Sequence, residues 1–265
     1  MQVQAYIDDS ADETHERVVL VGCYLGTEDD WGEVVRLWDR RLKNDGIEYF
    51  RSTEYYSLTG QFFRYLDRKK YPKPEGSNAA RKLRDDLDVI ISTSRIVGTA
   101  VCIPVAVYKE VRSNVPKASE VFPESALESA FESLVELCAE ATKDHFQGDA
   151  KIAFIYDEHP GSAPKISRLY LELKSRRLDL ASAMGGLVHL DDKKVKELQA
   201  ADLAASIAKE RFEHWLAGTQ KDSLEARLRT VRISSIAYWS REYMLHELQR
   251  RIDRQRWIRA SMIGG

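Results

Sequence analysis

The sequence predicts an α/β domain in which helices cover a mixed β-sheet, and three observations carry that prediction. Two β-branched apolar runs at the start, residues 2–7 and 17–25, are separated by a short polar stretch, the pattern of an antiparallel hairpin. Further apolar runs of strand length then alternate with segments whose apolar residues recur at i, i+3, i+4 and i+7, the pattern of helices laid across a sheet. The chain has 265 residues, 43 % of them hydrophobic, enough for a full core, and neither an internal repeat nor a linker-like shift in composition divides it.

The elements follow in order. The first strand ends at Asp8-Asp9, and the second, RVVLVGCYL, follows the polar turn SADETHE. A helix over about 29–43 is marked by Trp31, Val34, Val35, Trp38 and Leu42, with Gly46 beyond its end. Residues 47–50 (IEYF) read as a short third strand, and 52–68 are helical in part. The Pro/Gly-rich stretch 71–78 is a loop, after which Leu83, Leu87, Ile90 and Ile91 mark a helix. A strand is predicted over 95–108, a loop over 113–123, and a strong helix over 124–146 with Leu127, Phe131, Leu134, Val135, Cys138 and Ala141 on one face. KIAFIYD (151–157) is a strand ending in an acid, 163–178 a helix, GLVHLD (186–191) a strand and 195–217 an Ala-rich helix. Helices over 222–229 and 236–259 complete the chain. Residues 1–217 are thus expected to form the domain, and 218–265 a C-terminal helical extension packed on or beside it.

Forty Lys and Arg against 42 Asp and Glu give a formal charge of −2, which excludes a protein that coats nucleic acid by bulk attraction. The balance is uneven: residues 1–33 carry nine acids and one base. Cys23, Cys102 and Cys138 stand far apart without a CxxC pair and read as buried small hydrophobes, which suits a reducing compartment. No apolar run approaches the roughly 20 residues of a membrane span, and the first residues lack the basic flank of a signal peptide, so a cytoplasmic location is expected.

Several familiar chemistries are excluded by their motifs. The sequence has no GxxxxGK[ST], GxSxG, HExxH or GxGxxG, and its six histidines are scattered. What remains is a set of acids at the ends of apolar elements. Asp8 and Asp9 close the first strand, Asp157 and Glu158 close a later one, and Asp202 sits inside the helical run LQAADLAASIA. Asp202 shares a helix face with Leu198 and Gln199, and Ala201, Ala205 and Ala208 suit close packing against a sheet. Turn chemistry or a backbone amide would account for each acid singly. Jointly they favour a divalent cation, because buried carboxylates need compensating charge and Mg²⁺ prefers oxygen ligands.

YIDDSA at 6–11, the Glu in FRSTEYY, IAFIYDE at 152–158 and VHLDDKKVKELQAADLAA at 188–205 together resemble the domain-of-unknown-function 3800 family. That family is assigned to the ribonuclease H-like superfold, and typically opens with Tyr-x-Asp-Glu-Ser-Gly and closes with a Leu-Gln-x-Ala-Asp helix. The resemblance spans roughly residues 3–215 and is most specific at Leu198–Asp202. It departs at Asp9, where Glu is usual, and at Ala11, where Gly is usual. It implies a ribonuclease H-like fold with Asp8, Glu54, Asp157 and Asp202 as catalytic metal ligands, Glu48 being the rival to Glu54. Gln199 and Asp9 would support the site, and Lys193 or Lys194 would contact a phosphate.

The expected function is a metal-dependent phosphodiesterase acting on DNA or RNA, with two Mg²⁺ or Mn²⁺ ions flanking an in-line displacement. Two alternatives stand beside it. One is a catalytically silent regulatory protein that binds nucleic acid or a partner, including a second copy of itself, through the C-terminal helix. Residues 241–259 hold six Arg against three acids, with Trp239, Tyr243, Leu248, Ile252 and Trp257 as its apolar complement. The other is a hydrolase of a small phosphoester.

Overall fold

The computed structural model describes residues 1–11, 17–67, 69–71, 74–146, 150–219 and 232–263, with the side chains of 11 and 257–263 excepted. Six strands make one sheet: β1 (Gln2–Ala11), β2 (Val18–Gly26), β3 (Val97–Pro104), β4 (Lys151–Asp157), β5 (Met184–Leu190) and β6 (Ile233–Tyr238). Their order is β5-β4-β1-β2-β3-β6. The hairpin β1–β2 and the pair β2–β3 are antiparallel, whereas β1–β4, β4–β5 and β3–β6 are parallel. The mixed α/β architecture is the class the sequence predicts.

Helices cover both faces. On one, α1 (Glu28–Asp45), α2 (Ser52–Ser57), a 3₁₀ helix (Gly60–Leu66) and α3 (Glu75–Thr93) surround the long α9 (Lys196–Leu216). On the other lie α4 (Val105–Asn114), α5 (Ala118–Val121), α6 (Ala126–His145), α7 (Ala163–Arg176), α8 (Leu178–Ala181) and the C-terminal α10 (Arg241–Ile263). Strand alternation assigns the faces: Val3, Ala5 and Ile7 of β1 join the α6 core, while Tyr6 joins the α9 core. Asp8, two residues beyond Tyr6, therefore faces α9. With both faces covered, β2 and β3 are buried along their whole lengths.

Local signals set the helix ends. Thr27 caps α1 in a capping box with Asp30, and Gly46 closes it at φ +67°. Ser125 and Glu128 form the same box at α6. Ala201, Ala205 and Ala208 are fully buried, as their small size on the sheet side of α9 predicts. Ala205 packs on Gly22 of β2, where an added Cβ would lie 2.9 Å from the Ala205 backbone nitrogen. Gly22 pairs with Asp8 across β1–β2, so this close approach of helix to sheet falls beside Asp8.

Six expectations change. The first strand runs on past Asp8-Asp9 to Ala11, paired with β2, and α3 begins at Glu75, inside the stretch 71–78 expected to be a loop. Residues 47–50 are not a strand, because side chains take their backbone donors: Gln61 Oε1 accepts from the Glu48 N–H and Gln199 Oε1 from the Phe50 N–H. The strand predicted to run to residue 108 ends at Pro104, where α4 begins. Residues 113–123 hold the end of α4 and the short α5. The helix predicted from 236 starts at Arg241, and Ile233–Tyr238 form β6 instead. The segment ISSIAY has little alternation of its own and becomes a strand by pairing with the open edge of β3. Residues beyond 217 therefore complete the sheet. The helix predicted over 222–229 lies outside the described residues.

Helix α10 spends its apolar side within its own chain: Met244 and Leu248, with Trp239 just before the helix, are buried in the α6 core. The three cysteines are buried and free. Among the described residues no helix is long and apolar enough to cross a membrane.

Candidate functional site

Four aspartates converge on the α9 face from four separate elements. Asp8 comes from β1 and Asp202 from the second turn of α9, each only 8 % exposed. Asp157 is the last residue of β4, and the parallel register pairs its neighbour Tyr156 with Ile7, which places Asp157 alongside Asp8. Asp192, 5 % exposed, lies in the turn between β5 and α9 and donates its N–H to Asp157 Oδ1 at 3.1 Å.

Burial and mutual repulsion hold these acids away from their ordinary ionisation. The Asp8 carboxyl is pushed well above the usual range, first by burial and then by Asp202, Asp9, Asp157 and Asp192. Asp157 is pushed up to about 7 by burial and by Asp192, against the opposing pull of the Asp192 N–H and Arg51. Asp202 rises to about 6 through burial, although hydrogen bonds from Ser52 draw it back. Burial also raises Asp192 against the pull of Arg51.

Neighbouring groups fix the acids in place. Ser52 donates its N–H to Asp202 Oδ2 at 2.6 Å and its hydroxyl to the Asp202 carbonyl at 3.3 Å. Arg51 meets Asp192 through Nε at 3.0 Å, and its charge also acts on Asp157, Asp202 and Asp8. Gln199 is fully buried and ties three segments together. Its Oε1 accepts from Trp38 Nε1 at 3.1 Å and from the Phe50 N–H at 3.0 Å, and its Nε2 donates to the Asp192 carbonyl at 2.9 Å. The amide thus positions the site through the backbones of Asp192 and of the residue preceding Arg51.

The remaining sequence-derived residues are placed as follows. Glu54, in α2, accepts from the Tyr49 hydroxyl at 2.9 Å and from the Gln61 N–H at 3.4 Å, and it is not among the charges that weigh most on Asp8. Gly60 makes room for it: at φ +54°, an added Cβ would lie 1.9 Å from Glu54 Oε2. Glu48 is exposed, and its carbonyl accepts from Lys196. Asp9 accepts at 2.9 Å from the hydroxyl of Tyr156, a residue of the α6 core. Lys193 lies over the Tyr49 ring, with Nζ 5.2 Å from its centroid, and Lys194 pairs with Asp191 at 3.2 Å on the surface. Sequence reasoning missed Asp192 and Arg51. Asp192 had a signal, being an acid directly after a strand in the same VHLDD stretch that carries the resemblance.

Among the described residues, no three acidic, histidine or cysteine side chains are gathered closely enough to grip a metal ion as they stand. The donor set of the aspartate cluster is nonetheless all oxygen, the type hard cations select.

No family model matches the chain, and no curated protein matches it. Among solved structures it is similar to a chain of the PCNA:RNase HII complex from Archaeoglobus fulgidus, with 15 % identity, a TM-score of 0.40, and coverage of 87 % of this chain and 91 % of that one.

Proposed function

We propose that this protein is a Mg²⁺- or Mn²⁺-dependent phosphodiesterase that cleaves nucleic acid at the aspartate cluster. The observation that supports this most is the convergence of Asp8, Asp157, Asp192 and Asp202, from four elements, on one largely buried spot where the Arg51 guanidinium pairs with Asp192. Four carboxylates and one arginine leave an excess of negative charge that a fold retains at a cost unless cations bind. Asp8, Asp157, Asp192 and Asp202 would hold the ions, with Asp192 in the place that the sequence reading gave to Glu54. Bound there, two divalent cations would supply positive charge to both the attacking and the leaving oxygen of an in-line displacement at phosphorus.

The chain's own groups have separate tasks in this reading. Ser52 orients Asp202, and Gln199 sets the backbone that carries Asp192 and Arg51. Arg51 balances part of the cluster's charge before cations arrive and is then placed to meet a phosphate oxygen. Lys193 and Lys194, in the turn after β5, would meet the flanking phosphates, and Glu54 would stay with Tyr49.

The test is a cleavage panel of single- and double-stranded DNA, RNA and hybrid with Mg²⁺ and Mn²⁺, run beside Asp8→Asn. Metal-dependent cleavage that disappears in the variant supports the proposal, and cleavage that persists undiminished refutes it. Turnover of mononucleotide esters alone would move the reading to a small phosphoester hydrolase.

A further inference from the structure

The opposite face of the sheet holds a second charged feature that the proposed chemistry does not use. A cavity of about 220 Å³ opens between α6, α7 and α10. Arg176 and Arg177 line it at the end of α7, Arg251 and Arg254 on α10, and Glu132 and Glu136 on α6. Val121 and Leu173 add an apolar wall.

The acids here are fewer than the cations they serve. Glu132 is ion-paired with Arg176 and Arg251, and Glu136 with Arg177, Arg250 and Arg254. Glu247 takes Arg250 and Arg251, and Asp179 takes Arg177 through both its oxygens at 2.9 and 2.8 Å. Five arginines are thus set against four acids, and within the cavity lining the ratio is four to two. Arg251 shows the shortfall at one atom. It is 8 % exposed, its Nε donates to Glu247 at 2.7 Å, its Nη1 donates to Glu132, and its face lies over the rings of Phe122 and Trp239. Among the described residues, its Nη2 is buried and donates to nothing. A buried guanidinium N–H without an acceptor is costly, and an incoming oxyanion would remove that cost. Burial together with the neighbouring arginines also disfavours the charge of Arg176.

We propose that this cavity is a binding site for a small phosphate-bearing anion, held by Arg251 Nη2 with Arg176 and Arg254. Phosphate fits the observations better than a single carboxylate does, because its several oxygens and double charge match several convergent guanidinium groups. The volume lies below that of ordinary drug-sized pockets, so the occupant is a phosphomonoester with a small apolar group facing Val121 and Leu173, rather than a polymer strand. The site stands apart from the aspartate cluster and does not depend on the proposed nuclease reading.

Calorimetry of the full chain with phenyl phosphate, inorganic phosphate and acetate, in EDTA, tests the proposal. One saturable site for the phosphates is expected, unchanged in Asp8→Asn and weakened roughly tenfold or more in Arg254→Gln, since a hydrogen bond to a charged group is lost. Gln255→Glu, at an exposed position on the cavity lining, should weaken binding as well, and it removes no arginine contact that the fold uses. Absence of saturable phosphate binding by the wild type overturns the proposal. So does binding that both variants retain in full, or acetate binding as tight as phosphate.

Discussion

Gln199→Leu removes the polar contacts of a fully buried side chain while keeping its approximate volume, and its cost follows from three hydrogen bonds. Trp38 Nε1 and the Phe50 N–H lose their acceptor, and the Asp192 carbonyl loses a donor. Each buried donor left unsatisfied costs about 1–3 kcal/mol. Two such donors give roughly 2–6 kcal/mol, and local relaxation toward water places the expected loss at about 3–4 kcal/mol. For a chain of this size that lowers the melting temperature by roughly 6–16 °C, at about 2–4 °C per kcal/mol. Thermal unfolding followed by circular dichroism reads the shift directly. The same substitution frees the backbone beside Asp192 and Arg51, so metal-dependent cleavage should fall by more than the unfolded fraction explains. A change within about 0.5 kcal/mol, the range of an ordinary surface substitution, would refute the reasoning that Gln199 is the tie between α1, residues 47–50 and the β5–α9 turn.

Further outcomes follow from the same geometry. Gly22→Ala places a methyl group 2.9 Å from the Ala205 backbone nitrogen and must lift α9 from the sheet; a loss of about 1–3 kcal/mol is expected in denaturant titration, together with reduced cleavage because Asp202 moves with the helix. In EDTA, the carboxyls raised by burial bind more protons in the folded than in the unfolded chain. Their contribution is therefore largest at acidic pH and is lost as pH rises from the unfolded value of 3.8 through about 6 for Asp202 and about 7 for Asp157. The melting temperature in EDTA should accordingly fall between pH 5 and 8, and a rise across that window would contradict the clustering. At pH 8 in EDTA, Asp8→Asn should melt above the wild type, because an amide carries no charge for Asp202, Asp157 and Asp192 to repel. Glu136 has the opposite sign: although burial opposes it, Arg177 and Arg250 hold its carboxyl below the usual range. Its stabilising contribution is lost as pH falls below about 4.5, the ordinary glutamate value, and Glu136→Gln should flatten the acid limb of the stability curve.

The parts of this molecule that were legible in the sequence are those governed by local pattern. Strand alternation placed Asp8 on β1, helical spacing placed Asp202 on the face of α9 that carries Ala201, Ala205 and Ala208, and the apolar run before Asp157 marked β4. What escaped depends on partners distant in the chain. Residues 47–50 have the composition of a strand, but Gln199 and Gln61 take their donors, and no local window contains either residue. Ile233–Tyr238 is a strand only because β3 offers an open edge. Asp192 went unread because its place depends on the turn after β5, which sets its N–H on Asp157, while Tyr49 engages Glu54. The sequence assigns the arginines of α10 to a surface for nucleic acid or a partner, yet Arg251 is buried against Glu132 of α6 and Glu247 of its own helix.

The central claim is that Asp8, Asp157, Asp192 and Asp202 form one site for divalent cations. Titration calorimetry with Mn²⁺ tests it most directly. The account predicts saturable binding by the wild-type protein that is lost in Asp8→Asn and in Asp202→Asn, both of which remain folded. Absence of binding by the wild type, or binding of equal strength in both variants, would contradict it.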